Sequence, residues 1–84
     1  MEDWNQTPAG QERTFAFDSF SDAITWMFAC SLEIEQIRRY PQWTNAAQSV
    51  SVRLALGDGE LAELLDEHYA LFTAKKGSST PDDQ

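Results

Sequence analysis

One cysteine, one histidine and six basic residues are all the chain contains of each in 84 residues. A lone Cys30 excludes an internal disulfide and a cysteine-rich metal site. Inside an amphipathic helix it reads as a small apolar side chain. His68 has no second histidine or cysteine at ligand spacing, so it reads as a packed, hydrogen-bonded residue. The basic residues Arg13, Arg38, Arg39, Arg53, Lys75 and Lys76 never group beyond two neighbours, against fourteen acids and a net charge of -8. Phosphate backbones and anionic membranes are held by clustered Lys and Arg. Neither nucleic acid nor a membrane is therefore an expected partner. No apolar run approaches the roughly 20 residues of a membrane span. The chain does not open on a basic segment followed by an apolar run, and a cytoplasmic protein is expected. A Gly-rich phosphate loop, an internal repeat and a Ser-His-Asp motif are all missing.

What is present is globular patterning. Hydrophobic residues make up 42% of the chain and charged residues 24%, which is the composition of a folded domain rather than of disorder. Pro8-Ala9-Gly10 is a turn signal, and a short strand around Trp4 pairs in a hairpin with Arg13–Phe17, where Phe15 and Phe17 share a face. Asp18 or Ser19 offers a helix N-cap. From there Phe20, Ala23, Ile24, Met27, Cys30, Ile34 and Ile37 follow helical spacing, with Trp26 and Phe28 widening the stripe on opposite sides. So wide an apolar arc suits contact with both a sheet and a neighbouring subunit. Pro41 is expected to stop the helix, and Pro41–Asn45 to connect it onward. Ser49 to Leu56 alternates, with Val50, Val52, Leu54 and Leu56 on one face. Gly57-Asp58-Gly59 turns into a second helix over Glu60 to Ala74, with Leu61, Leu64, Leu65, His68, Leu71 and Phe72 as its stripe. The expected fold is α+β: an antiparallel sheet of about four strands with two main helices on one face. A single domain spans 1–76, with residues 1–3 frayed, and 77–84 has the composition of a disordered tail.

Phe15-Ala16-Phe17-Asp18-Ser19-Phe20 followed by Ala23 resembles the Phe-x-Phe-x-x-Phe-x-x-Ala strand-to-helix entry of pterin-4a-carbinolamine dehydratases. Pro41-Gln42-Trp43-Thr44-Asn45 and the alternating strand after it resemble that family's His-His-Pro-x-Trp-x-Asn signature. The resemblance implies a dehydratase pocket whose positions can be carried over without gaps. The acidic residue before the signature falls on Glu35, its two histidines on Arg39 and Tyr40, the third histidine on Gly57, and the acidic residue of the last helix on Asp66. Pro41, Trp43 and Asn45 keep the family residue types.

Dehydration of a carbinolamine requires a proton delivered to the departing hydroxyl and another removed from nitrogen. Imidazole suits both steps, because it titrates near neutrality. Guanidinium is always protonated, a phenol ordinarily titrates near pH 10, and glycine supplies nothing. The expectation is therefore a pseudoenzyme with no catalytic residue, no cofactor and no metal. It resembles a histidine-poor branch of the family, the Rubisco assembly factor associated with α-carboxysomes. That resemblance implies a cytoplasmic or carboxysome-associated homodimer that assists Rubisco subunits, with Arg39, Tyr40 and Trp43 as candidate contacts; such residue types are enriched at binding hot spots. The competing readings are a residual pterin-4a-carbinolamine dehydratase, a pterin-binding protein using Glu35, Trp43 and Asp66, and a dimerisation cofactor for a transcription factor.

Overall fold

The computed structural model describes residues 4–78. In chain order the elements are β1 (Asn5–Thr7), β2 (Gly10–Ala16), α1 (Phe20–Ile37), β3 (Gln42–Ala46), β4 (Ser49–Ala55) and α2 (Gly59–Ser78). The four strands form one antiparallel sheet in the order β1-β2-β4-β3. Helix α1 carries the chain from β2 across the sheet to the far edge strand β3. Both hairpins are fastened by side chains. Thr7 Oγ1 donates to the Gly10 carbonyl at 3.2 Å and accepts from the Ala9 N–H at 3.2 Å. Asn45 Nδ2 donates to the carbonyls of Ala47 and Ser49, at 3.1 and 3.0 Å, around a turn in which Ala47 has φ 54.

The expected four-stranded α+β architecture is the one observed, with differences at the element ends. The segment Pro41–Asn45, expected as a connection, carries β3, because its pairing with β4 continues the sheet from Gln42↔Arg53 to Ala46↔Ser49. Ser19, rather than Asp18, caps α1: its Oγ accepts from the Asp22 N–H at 3.1 Å. The helix ends at Ile37, four residues before Pro41. Arg38 adopts a left-handed conformation (φ 59) and returns its N–H to the Ile34 carbonyl at 2.8 Å. Strand β4 stops at Ala55, which leaves Leu56 in the turn and 72% exposed instead of on the buried face. Helix α2 runs on to Ser78, past Ala74. Residues 1–3, and the part of the expected tail from 79 to 84, lie outside the described residues.

The core lies between the sheet and the two helices. Phe15, Val50, Val52 and Leu54 rise from the sheet to meet Ala23, Trp26, Cys30 and Ile34 of α1 and Leu61, Ala62, Leu64 and Leu65 of α2. Trp26 is its hub, with ring centroids 4.6 Å from Phe15, 5.3 Å from Phe17 and 6.0 Å from Trp43. The α1 stripe therefore turns from its expected centre. Trp26, expected on its flank, is fully buried, while Phe20 and Ile24 are exposed. The helix has apolar residues on two sides, and spacing alone does not say which side meets the sheet. On α2, Leu71 is likewise exposed rather than part of the buried stripe.

Burial pushes the Cys30 thiol up to about 12, from an ordinary value of 9.0, and the nearby Glu33 carboxylate adds to the shift. Below pH 9 the thiol is neutral in both folded and unfolded chains. Between about 9 and 12 only the unfolded chain loses the proton, so this contribution to stability falls as pH rises through that window. A thiol reagent at pH 8 is expected to label Cys30 at the rate of global unfolding; labelling as fast as that of a free thiol in the native protein would contradict this burial.

Candidate functional site

Extending the β3–β4 register past Gln42↔Arg53 brings residues 39 and 40 alongside the turn that follows β4. The contact is closed by an ion pair: Arg39 Nη1 donates to Asp58 Oδ1 at 2.9 Å. Two positions at which the family resemblance puts histidines, Arg39 and Gly57, thus meet at one end of the sheet, where α1 ends and α2 begins. Tyr40, at the third, is 59% exposed beside them. Gly57 has φ 87, in the left-handed region that favours glycine. An arginine–aspartate pair occupies the space between them. Asp58 was not singled out from the sequence; its place between two turn glycines was the only signal available.

The two carboxylates do not join this cluster. Glu35 is exposed on the last turns of α1, on the side of the helix away from Trp26 and Ile34 by its helical phase. Asp66 faces the other edge of the sheet. It accepts from Trp4 Nε1 at 3.0 and 2.9 Å through both oxygens, and from Arg13 Nη1 at 2.7 Å. The Arg13 guanidinium lies 4.2 Å from the centroid of Phe15 and 5.3 Å from that of Tyr69. This arrangement ties β1 and β2 to α2. Arg13 shares the face of Phe15 by strand alternation, a signal present in the sequence, whereas the Trp4–Asp66 link spans the chain and leaves no local trace. Asp66→Ala is expected to cost about 1–2 kcal/mol, because it removes the acceptor of the Trp4 indole N–H and one ionic partner of Arg13. Solvent screens part of the ion pair at a carboxylate that is 39% exposed. Urea denaturation checks this: an unchanged midpoint would show that the tie contributes nothing.

Trp43 is half-buried and packs on Trp26, so its ring belongs to the core. His68 lies on the α1–α2 seam, its Nε2 2.7 Å from Glu33 Oε2. A cavity of about 660 Å³ opens elsewhere, on the exposed face of the sheet, where Glu12, Thr14, Gln42, Thr44, Ser51 and Arg53 line it. Neither His68 nor Glu33 borders it. Among the described residues no three of His, Cys, Asp and Glu stand together as a metal site, and no helix is long and apolar enough to cross a membrane.

Comparison with known proteins agrees with this architecture. The family described as pterin 4 alpha carbinolamine dehydratase matches residues 1–68. A protein of Opitutus terrae named "Putative pterin-4-alpha-carbinolamine dehydratase" is 33% identical over 58 residues, covering 69% of this chain and 60% of that protein. A protein of the same name from Rhizobium meliloti is 34% identical over 67 residues, covering 76% of this chain and 64% of that protein. The chain thus matches less than two thirds of these relatives' length. A solved structure from Brucella melitensis, named as a transcriptional coactivator/pterin dehydratase, superposes with a TM-score of 0.63 at 28% identity, over 88% of this chain and 82% of that one. A match over four fifths of the sequence, on the same sheet and helices, means that the chain belongs to the pterin-4a-carbinolamine dehydratase family.

Proposed function

We propose that this protein is a non-catalytic member of its family that works by surface recognition, as a homodimer that assists the assembly of Rubisco subunits. One observation carries the first part. Where the family resemblance puts imidazoles, the sheet end holds Arg39, Tyr40 and Gly57, and the Arg39 guanidinium is already engaged by Asp58 at 2.9 Å. A guanidinium held by a carboxylate neither gives nor takes a proton near neutrality. Of the two carboxylates that the resemblance adds, one is exposed at Glu35 and the other is spent on Arg13 and Trp4 at Asp66. Without proton donors and acceptors in one place, the factor of about 10² to 10⁴ that each general acid or base contributes is lost.

Recognition has material at the same sheet end. Tyr40 and Leu56 are 59% and 72% exposed there. Exposed Glu60 and Glu63 follow on the start of α2, in a chain of net charge -8. Apolar anchors with an acidic surround fit a client surface that is apolar with basic residues at its rim. Rubisco as the client follows from the resemblance of this histidine-poor signature to the α-carboxysome assembly factor. Co-expression with Rubisco subunits tests it: assembled enzyme should rise with this protein and fall back with Tyr40→Ala plus Leu56→Ser. A yield indifferent to the protein would remove the client assignment. The competing reading, a dehydratase with residual activity, is favoured by the names of the curated relatives and requires turnover on a hydroxylated pterin.

A further inference from the structure

Strand alternation sends Phe15, Val50, Val52 and Leu54 into the core and leaves Glu12, Thr14, Ser51 and Arg53 on the opposite face of the sheet. The register aligns this outer face in rows that cross the strands. Glu12, Arg53 and Gln42 form one row, Thr14, Ser51 and Thr44 the next, and Ala16, Ser49 and Ala46 the third. Three long side chains thus stand beside two rows of short ones. This step in height shapes the cavity of about 660 Å³, a volume within the range of about 300–1,000 Å³ typical of small-molecule sites.

The charges in the cavity set its chemistry. The chain has fourteen acids and six bases, yet these three rows carry one of each, side by side. Arg53 Nε lies 3.4 Å from Glu12 Oε2, longer than the roughly 2.7–2.9 Å of a charge-assisted hydrogen bond. The two side chains remain 67% and 43% exposed. Among the described residues, the Nη groups of Arg53, Oε1 of Glu12 and the side chains of Gln42 and Thr44 make no hydrogen bond. The Thr14 and Ser51 hydroxyls share one contact of 3.4 Å.

We infer that this cavity binds a free α-amino acid with a polar, uncharged side chain, held as a zwitterion by Glu12 and Arg53. A simple anion gains Arg53 but meets the Glu12 carboxylate, and a simple cation meets the reverse. A molecule with both charges satisfies both groups, its carboxylate on the Arg53 fork and its ammonium on Glu12. Neighbouring strands lie about 4.8 Å apart, a span that suits two charged groups separated by one carbon. Along the strand, the next row on the same face is about 7 Å away. There the hydroxyls of Thr14, Ser51 and Thr44 give and accept hydrogen bonds to a hydroxyl or amide side chain.

Amide chemical-shift titration of the full chain with L-glutamine tests this, since the ligand is neutral overall and leaves ionic strength unchanged. Saturable shifts in the millimolar range are expected at Glu12, Thr14, Ser51 and Arg53. N-acetyl-glutamine lacks the ammonium and glutamine α-amide lacks the carboxylate. Each should bind about fivefold more weakly. Arg53→Gln should erase the preference for the free carboxylate and keep that for the ammonium, and Glu12→Gln should do the reverse. Both positions lie on the sheet surface, and an unchanged circular dichroism spectrum shows that the variants are folded. Shifts that do not saturate, blocked analogues that bind as well as glutamine, or folded variants that bind like the wild type would each overturn the proposal.

Discussion

Trp26→Ala is expected to remove a large share of the protein's stability. The side chain is fully buried and contacts rings of Phe15, Phe17, Trp43 and Tyr69. Truncating a buried tryptophan costs about 3–5 kcal/mol. A chain of this size holds only about 4–12 kcal/mol in total. Trp26→Phe should behave differently. Among the described residues Trp26 Nε1 is buried without a hydrogen-bond partner, so phenylalanine removes an unsatisfied donor that costs about 1–3 kcal/mol. That gain offsets most of the lost ring contact, and the net change is expected within about 1 kcal/mol of zero. Urea denaturation of both variants checks the pair. A Trp26→Ala protein that melts near the wild type, or a Trp26→Phe protein as damaged as Trp26→Ala, would contradict this description of the core.

Gly10→Ala is expected to cost about 3 kcal/mol or more and to loosen the start of β2. Gly10 has φ 149, a conformation left almost wholly to glycine. A Cβ there would overlap the Leu54 carbonyl oxygen on the neighbouring strand. Backbone cannot step aside as a side chain tip does, so β2 must shift away from β4 near Gly10↔Ala55. Amide exchange should speed up across β1 and the first residues of β2 while the β3–β4 hairpin stays protected. Gly59→Ala is the control: nothing lies within 4 Å of its Cβ position and the residue opens α2. That change should be neutral or stabilise by up to about 1 kcal/mol. Equal stability of the two variants would show that Gly10 is not required for close strand approach.

Much of this fold was legible in local pattern. The alternation of Val50, Val52 and Leu54 marks the central strand, and all three are buried. The α1 stripe was legible as a helix but not in its orientation. Phe20, Ile24, Phe28 and Leu32 are as apolar as Ala23, Trp26, Cys30 and Ile34, and only the fit of Trp26 among Phe15, Phe17 and Tyr69 decides which side turns inward. Strand β3 was hidden because Asn45 is a poor strand former and Pro41 marks a break just before Gln42; the segment is held extended by its pairing with β4. At the site, a shared pocket for Arg39 and Gly57 was implied by the family resemblance, while the Arg39–Asp58 pair left no signal beyond two flanking glycines. The engagement of Asp66 with Trp4 and Arg13 was not legible either, because it joins residues 62 and 53 positions apart. Gly57 carries a further constraint invisible in spacing: at φ 87 a histidine side chain there would strain the backbone.

Proton transfer is the point on which the functional account stands. The most direct measurement is the stopped-flow dehydration of a synthetic carbinolamine at neutral pH, with and without the purified protein. The account predicts the same rate in both. Saturable turnover that scales with protein and disappears in Glu35→Ala, an exposed position whose loss leaves the fold intact, would contradict it.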